Sequence, residues 1–477
     1  RRTTNLSTRI VDLFSPIGQI PELLPTDRQP HTAAYIAAAR VPRRGVLPLL
    51  SREAAYPAAQ CRPQSGHTQS GDARPRRQRP CRTNTMSKKN VPLGMEKLQI
   101  AFDGKRAVRN STGLGNYSRY AIEALSATYP GHDYAVMSPG GSASRLASVL
   151  ERPNVSLVEP SKAIDRRFGA LWRTFDITGQ LADMGVDIYH GLSNELPLNI
   201  RRIPSLASVV TIHDLIWRRC PKDYKAMDRA IYDYKYRHSA INATRIIAIS
   251  RCTRDDLVND YGIDPAKIDI VYQGVDATFV PAGEYDRIDI RRRYNLPERY
   301  IIGVGTIQAR KNQLLTMQAL AALDSDIHLV LVGRRTPYTR DIDRYAAAHG
   351  LQGRLHILEG IPFADLPALY SAATCAAYPS RYEGFGLPVV EALSCGTPVV
   401  AATGSCLEEA GGPGAMYVDP EDPETMADAL ARICGDSRWR QSLADSGLRY
   451  VRRFNAETFA RQTMDSYLKA LDAVRHL

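Results

Sequence analysis

The chain has 477 residues, is 44% hydrophobic and 23% charged, and carries a formal net charge of +12. Its length exceeds what one hydrophobic core serves and calls for two or more domains; its composition excludes collagenous and broadly disordered chains. A charge of +12 would suit a nucleic acid or an anionic surface if it were spread over the fold. It is not: residues 1–94 hold 16 Lys and Arg against 5 acids, whereas residues 95–477 hold 46 against 45. A nucleic-acid partner is therefore not expected for the folded part. The eight cysteines (61, 81, 220, 252, 375, 395, 406, 434) form no Cys-x-x-Cys pair and no regular spacing. That argues against a zinc ribbon or a disulfide framework and suits a reducing compartment. No run approaches the roughly 20 apolar residues of a spanning helix, and no apolar stretch near the N-terminus reads as a secretory signal. The expected location is the cytoplasm, with peripheral contact at the inner face of the membrane left open.

Residues 1–94 show no sustained periodicity, recurrent prolines, and an Arg/Pro run from Arg74 to Arg82. Such a segment buries too little apolar surface to offset its ordering entropy and is expected to be disordered. Met86 and Met95 stand just before the first clean strand. One reading starts translation at one of them and makes the upstream residues a gene-model artefact; the other keeps a basic tail for anionic surfaces.

From residue 98 onward, strands alternate with amphipathic helices. Strands are expected over 98–103, 134–138, 155–159, 186–191, 206–213, 245–250 and 268–273, with helices over 117–128 and 224–242 between them. A second series has strands over 300–305, 328–333, 355–359, 374–379 and 398–402, with helices over 313–323, 341–349 and 366–373. This alternation implies right-handed βαβ units and parallel sheets covered on both faces. The polar, charge-dense stretch 281–298 separates the series. The expected organisation is a domain over 95–280, a second over 281–455, and a closing helix from 456 to 477. Ligands of such sheets bind at strand carboxyl ends, so the cleft between the domains is the natural site.

Four segments carry candidate chemistry. In Arg381-Tyr-Glu-Gly-Phe-Gly-Leu-Pro-Val-Val-Glu391 a strand leads through a glycine-bearing loop into a helix with Pro388 in its first turn. Free N–H groups and a positive helix end there suit a phosphate, and Glu383 and Glu391 could reach one ligand from two directions. Taken alone, Glu383 reads as a capping residue. In Gly303-Val-Gly-Thr-Ile-Gln-Ala-Arg-Lys-Asn312 two adjacent cations open a helix, against its dipole; an anionic ligand would relieve that cost. Arg310 offers a planar fork and Lys311 a point charge, together a pyrophosphate clamp. The segment is neither a G-x-G-x-x-G fingerprint nor a Walker A loop. In Ser111-Thr-Gly-Leu-Gly-Asn-Tyr117, Gly113 and Gly115 would permit close backbone approach, a bare tight turn being equally compatible. His213 ends a hydrophobic strand, which suits a site better than a core, although a lone histidine is more often structural. The Asp-x-Asp pairs at 324/326 and 341/343 read as turn and helix-start residues, so no metal is assigned.

Together these segments resemble retaining GT-B glycosyltransferases, specifically the glycosyltransferase group 1 family with its many bacterial mannosyltransferases. The resemblance runs from about residue 98 to the C-terminus and is carried by the E-x7-E spacing of Glu383 and Glu391 within EGFGLPVVEALSCGTPVV. GTIQARKN, ISRCTRDDL from Ile249 and VYQGVD from Val271 follow the family's order. It implies an α/β fold of GT-B type, two doubly wound Rossmann-like domains facing a cleft, with the last helix crossing back to the N-terminal domain. It also implies a nucleoside diphosphate sugar as donor substrate and no separate cofactor. Arg310 and Lys311 would hold the diphosphate, Glu391 the ribose, and Glu383 would lie near the donor sugar beside Gly384, Phe385, Gly386 and Leu387. Gly113 and Gly115 would approach the diphosphate, and His213 the donor sugar or reaction centre.

The implied activity is retaining transfer of a hexose to a glycan or lipid-linked glycan, as in polysaccharide or lipopolysaccharide biosynthesis, with GDP-mannose the first choice of donor. The acceptor side is less legible. Tyr232-Asp-Tyr-Lys-Tyr-Arg-His238 could meet an anionic lipid-linked acceptor or a membrane, though an amphipathic helix with inward tyrosines is favoured. Competing readings are a GT-B sugar-nucleotide epimerase, which the E-x7-E segment opposes, and binding of nucleic acid or an anionic surface through the basic extension.

Overall fold

The structure is a computed structural model and describes residues 97–110, 112–140 and 146–476. The expectations for residues 1–94 lie outside the described residues. Two all-parallel sheets lie within one compact unit. The first has seven strands in the order β3-β2-β1-β4-β5-β6-β7: β1 Gln99–Asp103, β2 Asp133–Met137, β3 Val155–Val158, β4 Ile188–Gly191, β5 Ala207–Ile212, β6 Arg245–Ala248 and β7 Ile268–Ile270. The second has six in the order β10-β9-β8-β11-β12-β13: β8 Arg299–Val304, β9 Ile327–Val332, β10 Leu355–Leu358, β11 Cys375–Tyr378, β12 Val399–Ala402 and β13 Ala415–Val418.

The central strands are near-continuous apolar runs because helices cover both sheet faces; every residue of β5 and of β12 is buried. All strands expected from the sequence form. One more, β13, was not anticipated: it is four residues long, half-buried in its middle, and follows Gly411-Gly-Pro-Gly414, which reads as loop.

The helices that position the site are α1 Gly113–Thr128, α2 Ala226–Asn242, α3 Arg251–Tyr261, α4 Glu284–Arg293, α5 Leu387–Ser394, α6 Leu407–Gly411 and α7 Ala456–Arg475. Helix α4 corrects the view of 281–298 as a mere polar spacer. Acids in its first turn, Glu284 and Asp286, and Arg291 to Arg293 in its last complement the helix dipole. Ile290 is its buried anchor, and Arg293 and Tyr294 tie it to Asp365 at 3.0 and 2.5 Å. Its charge density concealed it.

Helix α7 packs on α1, β5 and β6, so the chain's end returns to the first sheet. Its Tyr467 hydroxyl meets His190 Nδ1 at 2.6 Å, and His190 Nε2 meets Thr211 Oγ1 at 2.8 Å. In each sheet the strand order reverses once, between β1 and β4 and between β8 and β11. Loops leave those strands in opposite directions and open a crevice at their carboxyl ends.

Candidate active site

At the second crevice, β8 pairs with β11, Ile301 opposite Cys375, so the loops that follow both strands emerge side by side. After β8, Gly305 turns at φ +127° and has Lys311 close above it, and a single 3-10 turn, Ala309–Lys311, sets Arg310 and Lys311 inward. After β11 the chain runs through Tyr382, Glu383 and Gly384 to Gly386, whose φ of +110° starts α5. Glu383 Oε2 lies 2.7 Å from Arg310 Nη1 and its Oε1 2.9 Å from Lys311 Nζ. The Tyr378 hydroxyl donates to the same Oε1 at 3.2 Å, and the Lys311 ammonium sits 4.6 Å from the Tyr378 ring centre. Arg310 also donates to the Tyr382 carbonyl.

All three charged side chains are nearly buried, between 10% and 12% exposed. Burial by itself penalises each charge, but pairing outweighs it: Lys311 and Arg310 hold the Glu383 carboxyl at about 2, and Glu383 holds both cations above their ordinary values. The two cations expected to clamp a pyrophosphate thus converge, with Glu383 as their anion.

Glu391 opens on a different space. It is buried within α5 and accepts from the Tyr370 hydroxyl at 3.1 Å. Burial raises its carboxyl to about 7 despite that bond. It faces a cavity of about 350 Å³ with Leu387, Gln273, Asp276, Asn116 and Tyr120. The last two belong to α1 of the first sheet, so the cavity bridges both halves. Phe385 points elsewhere: it packs between Tyr272 and Phe454, ring centres 5.5 and 5.4 Å away, leaving only its backbone for a ligand.

The first sheet meets this loop at His213, just past β5. A Cβ on Gly384 would collide with the His213 carbonyl oxygen, so glycine is what lets the two backbones touch. His213 Nε2 faces the Leu192 carbonyl at 2.9 Å, which puts the proton on Nε2, and its ring stands edge-on to Tyr117 at 4.5 Å. Burial lowers its pKa to about 4, so it is neutral at pH 7. Asp214 beside it is half-buried, and its loss of solvent raises it to about 6. Gly113 and Gly115 differ from each other: the expected loop over 111–117 is shorter, because α1 already begins at Gly113. Among the described residues nothing stands against a Cβ at Gly113, whereas the Asn110 carbonyl fills the place of a Gly115 Cβ.

A further cavity of about 490 Å³ opens at the first crevice, between β1, β4 and α2. Its floor is an ion-pair network: Arg173 joins Asp103 at 2.7 Å and Glu195 at 3.0 Å, and Lys235 reaches Glu195 at 3.5 Å. Its walls are apolar, with Leu196, Ile231 and Tyr234 among them. Lys235 stands within the 232–238 segment, whereas Asp103, Arg173 and Glu195 were not expected from the sequence; an Asp closing a buried strand, as Asp103 closes β1, was the available signal. Of the tyrosines of 232–238, Tyr232 and Tyr236 pack inward on Trp217, while Tyr234 is 62% exposed. The acids of the two Asp-x-Asp pairs bind nearby arginines: Asp324 and Asp326 face Arg299, Asp343 Arg335 and Asp341 Arg344.

Comparison with known proteins covers both halves of the described chain. Residues 286–449 match the family described as Glycosyl transferases group 1, and residues 111–279 match Glycosyltransferase Family 4. The chain is 30% identical over 287 residues to O-antigen chain mannosyltransferase B of Escherichia coli, covering 59% of this chain and 74% of that protein. It is 36% identical over 253 residues to D-inositol 3-phosphate glycosyltransferase of Salinispora tropica, where the match spans 48% of this chain and 52% of the relative. In fold it is similar to sucrose-phosphate synthase from Thermosynechococcus elongatus, with a TM-score of 0.61 at 22% identity over 78% of this chain and 98% of that one. It is also similar to Anabaena HepE in complex with UDP and glucose, with a TM-score of 0.60 at 20% identity over 77% and 98%. Two all-parallel sheets accord with these likenesses, and the chain belongs to the group 1 glycosyltransferases of GT-B fold.

Proposed function

We propose that the protein is a retaining hexosyltransferase that moves mannose from a nucleoside diphosphate sugar, GDP-mannose first among them, to a glycan or lipid-linked glycan acceptor. The observation that carries this reading is the pair of nearly buried cations, Arg310 and Lys311, held by a carboxylate within hydrogen-bond reach of both. A diphosphate is the small-molecule group whose charge and geometry match that pair. The curated mannosyltransferase relative supports the choice of sugar.

In this reading the donor diphosphate takes over the contacts that Glu383 makes. The bond between the anomeric carbon and the diphosphate oxygen breaks as the acceptor oxygen bonds to the same face, and the acceptor proton passes to the departing phosphate. Arg310 and Lys311 stabilise the charge that grows on the leaving group. Glu391 hydrogen-bonds the ribose hydroxyls, and the neutral His213 carries its free Nδ1 toward the donor sugar. The backbone N–H groups of 384–387 and of Gly113 complete the donor site. The 490 Å³ cavity suits the acceptor's sugar: its floor presents carboxylates and cations together, and hydroxyl groups both donate and accept. Contact with the inner face of the membrane would follow from a lipid-linked acceptor.

A thermal-shift series with GDP, UDP and ADP tests the donor half, because a ligand that binds only the native state raises the melting temperature. A preference for GDP is expected. Arg310→Ala should lower transfer by about two to three orders of magnitude, the usual effect of removing one oxyanion-type donor, with the fold retained. Glu391→Ala should weaken donor binding. Unchanged turnover in both variants would reject the site.

A further inference from the structure

Helix α3 belongs to the first sheet, yet its N-terminus is completed by the second. Ser250 Oγ accepts from Thr253 N at 3.0 Å, an ordinary N-cap. The next free donors, Arg251 N and Cys252 N, bond Glu409 at 2.8 and 3.1 Å, and Glu409 sits on α6 beside β12. The Tyr272 hydroxyl donates to the same carboxylate at 2.8 Å. A carboxylate at a helix N-terminus satisfies orphan N–H groups and complements the dipole, but here it reaches across from the other half of the molecule.

One turn further along, the same helix grips the Glu383 loop on both sides. The Thr253 hydroxyl points between the carbonyls of His213, 3.0 Å away, and Gly384, 3.4 Å away. The Tyr382 hydroxyl donates to Asp256, whose other oxygen takes Arg219 Nε at 3.1 Å. Residues 382 and 384 are thus both tied to α3, and Glu383 lies between them. Arg310, Lys311 and Glu391 are carried by elements of the second sheet with, among the described residues, no such tie to α3.

We propose that α3 is a latch between the two halves, with Glu409 and Asp256 as positioning residues that set Glu383 when the halves are closed. Parting of the halves breaks the Glu409, Asp256 and Thr253 bonds together and leaves the loop at 382–384 held from the second sheet alone, by Arg310, Lys311 and the Cys406 thiol, while the cations and Glu391 stay in register for nucleotide. The latch therefore supports turnover without being needed for nucleotide binding. This consequence rests on the transferase reading; the latch itself does not.

The test compares the full chain with Glu409→Ala, Glu409→Gln and Asp256→Asn, by transfer kinetics, titration with GDP and small-angle scattering. Glu409→Ala and Asp256→Asn are expected to lower kcat by about tenfold while GDP binds no more weakly than to the parent protein, the signature of an interaction expressed after ground-state binding. Glu409→Gln, whose amide oxygen still accepts an N–H, is expected to recover part of the rate. Scattering should show a larger radius of gyration for Glu409→Ala, a readout that needs no activity. A lower melting temperature with full kcat and an unchanged scattering profile overturns the latch, as does a Kd that worsens in step with kcat. Expansion in the variants of a protein that transfers no sugar supports the latch and rejects the transferase reading alone.

Discussion

Glu383 and Arg310 form an ion pair of 2.7 Å between two loops that are adjacent only because β8 and β11 are neighbours in the sheet. With Lys311 at 2.9 Å, one carboxylate serves two nearly buried cations. Glu383 is therefore an internal counter-ion at the place a diphosphate would take, and a ligand there competes with it.

Replacing Glu383 with Gln should expose that competition. Losing a charge-assisted bond to each cation removes what a diphosphate must displace, so GDP affinity is expected to rise by about tenfold, given that such bonds contribute about 1.5–3 kcal/mol. Without ligand the variant should melt at a lower temperature, because two cations lose their partner, and GDP should restore much of the difference. Calorimetric titration and thermal melts check both halves; weaker GDP binding would show that Glu383 assists the ligand.

Gly384→Ala tests the backbone contact with His213. The new methyl would collide with the His213 carbonyl, so the loop must shift and carry Glu383 off its partners. The expected outcome is a destabilisation of about 1–3 kcal/mol, typical of overpacking, with a loss of transfer larger than that of GDP binding. Urea unfolding and kinetics on the same sample measure the two effects.

Two buried histidines predict acid lability. Burial lowers His190 to about 3 and His213 to about 4. Groups depressed in the folded state bind fewer protons there than in the unfolded chain, so the stability they contribute is present above about pH 6.5 and is lost as pH falls toward 4. The melting temperature should drop across that window. His190→Gln should flatten the slope; an equally steep slope in the variant would place the acid sensitivity elsewhere.

Glu391 predicts the opposite sign. Its carboxyl is raised to about 7 by burial, so the folded state holds the proton more tightly than the unfolded chain. Its contribution is full below about pH 4.5 and is lost as pH rises through 7. Glu391→Gln should therefore gain on the parent protein between pH 5 and 8, by about 3 kcal/mol at most, at 1.36 kcal/mol per pKa unit. Stability curves at several pH values, without nucleotide, give the comparison.

Much of the fold was legible in the sequence because buried parallel strands are continuous apolar runs and their crossover helices have a different period. The strands from β1 to β12 were placed on that signal. It failed where the signal was weak: β13 is short and half-buried behind a Gly-Pro turn, and α4 is so charged that Ile290 alone marks its inner face. The site was legible in part for a related reason. Arg310, Lys311, Glu383 and Glu391 stand in motifs with fixed local spacing, whereas Asp103, Arg173, Glu195 and Lys235 come from four separate segments, and no local pattern joins them.

The division between the two levels follows from how each interaction is specified. Local chemistry determined that the loops after β8 and β11 carry cations and a carboxylate, that Gly386 and Pro388 start a helix, and that the +12 charge resides almost wholly in residues 1–94. Tertiary structure alone decided that Glu383 neutralises both cations, that Glu391 faces a separate cavity, and that Glu409 caps a helix 158 residues before it. These are contacts across sheets and halves, set by strand order and by the meeting of distant backbones. Sequence spacing carries no record of such contacts, because the free energy that forms them comes from packing the whole chain.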